Sequence, residues 1–201
     1  MKRIAVFASG EGTNTQQLID YFKGSNVKIV LVVCNHPQAN VLKRAEKQNI
    51  PSVLINKEWS YNGEPVLSEC PKDPLRRTPL EKKLLGENLD LIVCAGFLWK
   101  IPDTILQAFP NKIVNIHPAL LPKFGGKGMY GLNVHKAVIG AGEKESGITI
   151  HYLNEHYDEG EIILQKKCEV KKNDTTESLA QKVLVLEHEW YPKTIEQLLK
   201  Q

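Results

Sequence analysis

The feature that most constrains this chain is a series of short apolar runs separated by helix-forming sequence. RIAVFAS (3–9), KIVLVVC (28–34), SVLI (52–55), LDLIVCA (89–95) and KIVNI (112–116) read as near-continuous hydrophobic strands. Such runs belong to a parallel sheet covered on both faces. Between them lie four helix candidates: TNTQQLIDYFK (13–23), NVLKRAEKQ (40–48), TPLEKKLLGEN (78–88) and DTILQAF (103–109). The repeated strand–helix–strand order implies an α/β fold with a doubly wound, mostly parallel sheet and right-handed crossovers. Ligands in such sheets bind outside the carboxyl ends of the strands.

The pattern changes after residue 146. GITIHYL (147–153) and EIILQKKCEV (161–170) are separated only by NEHYDEG, too short for a crossover helix, so an antiparallel hairpin is expected. Asp174-Thr-Thr-Glu177 resembles a capping box for a closing helix, ESLAQKVLVLEHEWYPKTIEQLLK, which Pro192 should kink or split. Loops are expected at 57–76 and 122–131, the second glycine-rich and suited to a lid. One domain over 1–201 accommodates this, with a mononucleotide-binding half (1–110) and a second half (111–201).

Composition excludes several classes. The formal net charge of +3 is too small to imply nucleic acid by itself. No run reaches the roughly 18 uninterrupted apolar residues of a membrane span. The first apolar stretch is too short for a signal peptide and leads straight into a glycine loop, so a cytoplasmic location is expected. Cys34 and Cys94 sit in apolar runs, Cys70 and Cys168 in polar ones, and no CxxC or Cys/His cluster occurs. Neither a metal site nor disulfides are implied.

ASGEGTN (8–14) joins the first strand to the first helix. It reads either as a tight turn needing glycine or as a backbone cradle for a phosphate. It is not a full dinucleotide fingerprint, because Thr15 takes the place of the third glycine, and no acidic residue follows the second strand. A monophosphate fits better.

In IVNIHPALLP (113–122), Asn115 and His117 share one face of a strand. They either satisfy each other near the strand end or together donate to a developing oxyanion. Asp158, before Glu159-Gly160, reads as an Asx-turn residue or as a carboxylate that pairs with His117, favours its protonated form and relays a proton through water. Glu187 follows four apolar residues on a helix that looks buried on most sides. Its partner is then a basic side chain or a pair of sugar hydroxyls. GFLWKIP (96–102) offers Phe97, Leu98 and Ile101 either to a flat heterocycle or to plain packing.

Taken with GITIHYLNEHYDEGEIILQ and LEHEWYP, these stretches resemble the phosphoribosylglycinamide formyltransferases, within the folate-dependent formyltransferase family. NIHPALLP followed by His151, Asp158 and Gly160 carries the resemblance. It implies a Rossmann-like formyltransferase fold. It also implies formyl transfer from 10-formyltetrahydrofolate, a co-substrate, to the amine of glycinamide ribonucleotide in purine biosynthesis, without metal, nucleic acid or membrane. Catalysis then falls to Asn115, His117 and Asp158, and ribonucleotide binding to Gly10, Glu11, Gly12, Thr13, Asn14 and Glu187. Folate contacts fall to Phe97, Leu98, Ile101, Asn154, Glu155, His156 and Tyr157, with Thr149 and His151 in support.

The chain departs from the family pattern at Trp99-Lys100, at Leu184 and in GGKGMYG, and none of these touches the three catalytic positions. A methionyl-tRNA formyltransferase would bring a further C-terminal domain and a basic tRNA surface, and a deformylase an N-terminal regulatory domain. An amino-sugar nucleotide acceptor and a non-catalytic nucleotide-binding module remain as alternatives.

Overall fold

A computed structural model describes residues 1–59 and 77–200. Most of the loop expected at 57–76, with Cys70, lies outside the described residues. Seven strands run in the order β3-β2-β1-β4-β5-β6-β7: β1 Lys2–Phe7, β2 Val27–Cys34, β3 Ser52–Leu54, β4 Leu91–Cys94, β5 Ile113–His117, β6 Glu145–Tyr152 and β7 Ile162–Glu169. The helices are α1 Thr13–Phe22, α2 Asn40–Lys47, α3 Pro79–Gly86, α4 Asp103–Ala108, α5 Leu132–Gly140 and α6 Thr176–Lys200. This is the expected α/β architecture, a mostly parallel sheet with an antiparallel hairpin and a closing helix. Two compact units divide within β5, Met1–Ile113 and Val114–Gln201.

In the first unit, β1 pairs in parallel with β2 and β4, and β2 with β3. Ile4, Ala5, Val6, Phe7, Ile92 and Val93 are wholly inaccessible, which is why these strands are apolar on both faces instead of alternating. The chain moves outward from β1 to β3 and returns to β4 on the other side of β1. That reversal is a switch point, where strand ends leave room for a ligand. The α3 start is fixed by a capping box: Thr78 accepts the Glu81 N–H, and Glu81 accepts the Thr78 N–H.

In the second unit, β5 pairs antiparallel with β6 and β6 with β7. Four expectations change. Helix α5 was not anticipated. It is short and follows a glycine-rich segment, and only Val134, His135 and Val138 turn inward, so its apolar face is narrow.

The cap of α6 sits one residue later than expected. Thr175 accepts the Ser178 N–H, and the Ser178 hydroxyl accepts the Thr175 N–H. Asp174 is occupied elsewhere: Lys182 bonds to it and holds its carboxyl down to about 2, while the Lys171 N–H donates to it at 2.7 Å.

Nor does Pro192 split α6. The proline removes one backbone donor, but it lies on the buried face with Tyr191, Thr194 and Ile195, whose packing carries the helix through. That face is one stripe; Val185 is 64% exposed and Glu187 only half-buried, so α6 is not buried on most sides.

Gly147 in β6 has φ +159, and a Cβ there would come within 1.9 Å of the Lys166 carbonyl oxygen. The β6–β7 ladder would have to part to admit it. Gly147→Ala is expected to cost about 3 kcal/mol, at the severe end for single substitutions. An unchanged urea midpoint would contradict this packing.

Candidate functional site

The first unit places two of the expected segments side by side at the switch point. Residues 8–12 follow β1, and residues 95–102 follow β4. The Ser9 N–H donates to the Gly96 carbonyl at 3.1 Å, and the Leu98 N–H donates to the Ser9 hydroxyl at 2.9 Å. Gly12, at φ +69, turns the chain into α1, and a Cβ there would meet the Val41 side chain at 2.7 Å. Only glycine meets both demands. No acidic residue occupies the first turn of α1, so the helix N-terminus keeps its partial positive charge available to an anion. Thr13 and Asn14 open that helix, and the Asn14 side chain is buried.

Of the 96–102 segment, Ile101 is core and Leu98 is half-exposed. Phe97 stands edge-on to Phe7, with ring centroids 5.3 Å apart, and also meets Trp59 and Trp99. Trp59, at φ +58, touches Trp99 as well. These rings brace the turn; Trp59 and Trp99 are partners that sequence spacing does not reveal.

The second unit holds the catalytic candidates. Antiparallel register sets Asn115 opposite His151 and His117 opposite Thr149, so all four side chains share one face of β5–β6. His151 is fully buried, and its Nδ1 donates to the Tyr152 carbonyl at 2.9 Å. That bond fixes the tautomer: Nε2 is left as an acceptor and takes an N–H from Asn115 Nδ2 at 3.3 Å. The Asn115 amide is thereby oriented, with a second N–H to spare. Thr149 does a different job. Its buried hydroxyl donates to the Ala119 carbonyl and accepts from the Leu121 N–H and Gln165 Nε2, pinning the HPALLP turn. Gln165 also donates to the Leu121 carbonyl.

Asp158 reaches this cluster from the β6–β7 loop. Its backbone is left-handed at φ +56, a region Asp tolerates better than most residues. The local turn bond expected of Asp158 is made by Asn154, whose side chain accepts the His156 N–H. Asp158 Oδ2 lies 3.6 Å from His117 Nδ1, and Oδ1 lies 3.7 Å from His151 Nε2. Oδ2 also accepts the Gly126 N–H at 2.8 Å, while His117 Nε2 donates to the Phe124 carbonyl at 2.8 Å. The glycine-rich 122–131 segment is thus fastened to both partners. Glu155, His156 and Tyr157 stand exposed in the same loop as Asp158, with Asn154 half-buried. Glu187 lies half-buried along α6.

His135, another group that sequence reasoning missed, is buried on α5. Burial lowers its pKa, and the neighbouring His117 lowers it further. Burial likewise lowers His151, against the raising effects of the Tyr152 carbonyl and Asp158, and it also lowers His188. No group of three or more potential metal ligands occurs among the described residues. No helix there is long and apolar enough to cross a membrane.

Comparison with known proteins identifies the family. Residues 2–195 match the family model described as formyl transferase. The chain is 41% identical over 201 residues to a phosphoribosylglycinamide formyltransferase of Bacillus subtilis (strain 168), spanning 99% of this chain and 95% of that one. It is 40% identical over 196 residues to a chloroplastic phosphoribosylglycinamide formyltransferase of Arabidopsis thaliana, spanning 96% of this chain and 64% of that one. Among solved structures, glycinamide ribonucleotide transformylase 1 from Geobacillus kaustophilus superposes with TM-score 0.83 at 35% identity, covering 99% of each chain. Phosphoribosylglycinamide formyltransferase from Anaplasma phagocytophilum gives 0.83 at 32% identity, covering 98% of this chain and 86% of that one.

The lowered imidazoles carry a pH signature. A histidine whose folded pKa lies below its ordinary 6.5 is neutral in both states above that value. As the pH falls below it, the unfolded chain takes up protons that the folded chain refuses, and stability is lost. The urea midpoint is expected to be lower at pH 5.5 than at pH 7.5. A midpoint that holds or rises would contradict the buried neutral histidines.

Proposed function

This chain belongs to the formyl transferase family, and we infer that it transfers the formyl group of 10-formyltetrahydrofolate to the amine of glycinamide ribonucleotide. The observation that carries the reading is the convergence of Asn115, His117 and Asp158, two hydrogen-bond donors and a carboxylate, beside a neutral His151. The first unit's glycine loop holds the ribonucleotide phosphate through backbone N–H groups of Gly10 to Asn14, and Glu187 takes the ribose hydroxyls. Folate is held by the 97–101 turn and the 154–157 loop. Residues 1–110 then serve as the mononucleotide-binding half, and 111–201 as the half that carries catalysis. The location that suits this chemistry is the cytoplasm.

In this proposal the amine nitrogen attacks the formyl carbon and a C–N bond forms, leaving an oxyanion on the tetrahedral carbon. The spare Asn115 N–H and a His117 N–H donate to that oxygen. Because the Phe124 carbonyl already takes the His117 Nε2 proton, the oxyanion must displace it or use the face toward Asp158. Asp158 balances the charged imidazole and accepts the amine proton through a water. Collapse breaks the bond to the folate nitrogen, which takes that proton back from Asp158 through the water and leaves as tetrahydrofolate. His151 touches no reacting atom; its lone pair keeps the Asn115 amide turned the right way. No metal takes part.

His117→Ala and Asp158→Ala are each expected to lower turnover about a hundred- to a thousandfold while leaving ribonucleotide binding intact. The assay is tetrahydrofolate release with glycinamide ribonucleotide as acceptor, alongside calorimetric titration of the ribonucleotide. Near-normal turnover in either variant would sink the catalytic assignment. Active protein that releases no tetrahydrofolate with this acceptor would instead point to a different amine, such as an amino-sugar nucleotide, or to binding without catalysis.

A further inference from the structure

One face of α2 grips the glycine loop. Arg44 lies three residues from Val41 and four from Asn40, so it neighbours both on the helix surface. The Val41 N–H donates to the Gly10 carbonyl at 3.2 Å, and its side chain fills the space beside Gly12. Asn40 Nδ2 lies within 3.0 Å of both carboxylate oxygens of Glu11, holding that side chain over α2. Arg44 Nε donates to the Glu11 carbonyl at 2.7 Å. Its Nη1 reaches Gln16 Oε1 only at 3.4 Å, and among the described residues its Nη2 has no hydrogen-bond partner. The loop is therefore flanked by a guanidinium with a donor to spare and by a carboxylate held by Asn40, a charge of each sign.

We propose that Arg44 is a positioning residue that shapes the glycine loop and draws a phosphomonoester dianion to it, while the Glu11 carboxylate, held by Asn40, weakens the same binding. This rests on the reading that the loop takes the ribonucleotide phosphate, and it assigns the side chains around that loop opposite effects. The Arg44–Glu11 backbone bond fixes the peptide unit from which the loop amides project. The guanidinium offsets the charge that Glu11 would otherwise present to an incoming anion. Arginine suits both tasks, because its fork can bond the backbone and still turn an N–H outward. With Glu11 opposing, the bound phosphate is retained less tightly than a wholly cationic site would retain it.

Inorganic phosphate serves as the probe, first by titration calorimetry on the intact protein and then as an inhibitor competing with the ribonucleotide. Arg44→Ala is expected to weaken phosphate binding and raise the KM for the ribonucleotide by about tenfold or more, the range of a charge-assisted bond. The kcat and the KM for the formyl donor should stay within about twofold, a split that general unfolding does not give. Arg44→Lys keeps the charge without the fork and should recover part of the loss.

Glu11→Gln should bind phosphate about threefold more tightly, as removal of one nearby like charge predicts, and the gain should shrink at high salt. Loss of packing does not produce a gain. Unchanged phosphate affinity in Arg44→Ala, or no tightening in Glu11→Gln, overturns the inference while leaving formyl transfer standing. Wild-type protein that binds phosphate with these variant effects but transfers no formyl group overturns the functional reading alone. If Arg44→Ala fails to fold, the lysine and Glu11 variants decide the question by themselves.

Discussion

The second unit depends on the carboxylate of Asp158. One negative group is brought by a left-handed backbone to a place 14% exposed, between two imidazoles at 3.6 and 3.7 Å. A carboxylate removed from water to that degree needs compensation. The Gly126 N–H supplies part of it directly, and His117 Nδ1 stands 3.6 Å from the same oxygen. Each partner is constrained in return. His117 is held between Asp158 and the Phe124 carbonyl, while His151 is fixed as the tautomer whose lone pair orients Asn115. These side chains are thus held in place by one another, the preorganisation that the proposed oxyanion site requires.

The register beneath that cluster is held by a second network with no reactive role. Thr149 and Gln165 face each other across β6 and β7 and together take up the Ala119 carbonyl, the Leu121 N–H and the Leu121 carbonyl. A one-residue slip of β6 would turn Thr149 and His151 to the opposite face together. The turn after His117 and the orientation of Asn115 are consequently set by the same strand pairing. Gly147 protects that pairing from the other direction, because the strands close to a separation that no side chain at 147 would allow.

What could be read from the sequence follows from what is periodic. Apolar runs covered on both faces announce strands, and a period of two puts Asn115 and His117 on one face without any partner being known. The short gap between the last two runs announced a hairpin, and β6 and β7 do pair antiparallel. Groups that act through non-periodic geometry were not legible: the Phe124 carbonyl and Gly126 amide come from irregular backbone, and Trp59 meets Phe97 from far along the chain. Asp174 misled for a related reason. Its carboxylate belongs to Lys182, a tertiary partner on the next turns of α6, so a local cap pattern was read one residue early. VLVLE misled through composition, since an apolar run does not reveal that Val185 points outward.

The two units handle charge by opposite means. In the second, a single carboxylate is enclosed beside two imidazoles and bonded by the Gly126 N–H, so its effect on neighbouring groups is strong and local. In the first, the charges around the glycine loop stay near water, where each pairwise term is small and geometry has to be set by many weak holds. Asn40, Val41 and Arg44 act together there, around a loop that needs glycine at residue 12. A loop whose turn admits only glycine at residue 12 cannot stiffen itself with a side chain there. Its rigidity is borrowed from the neighbouring helix, and in this chain the lending face of α2 also carries Arg44, a positive charge bonded to the loop backbone.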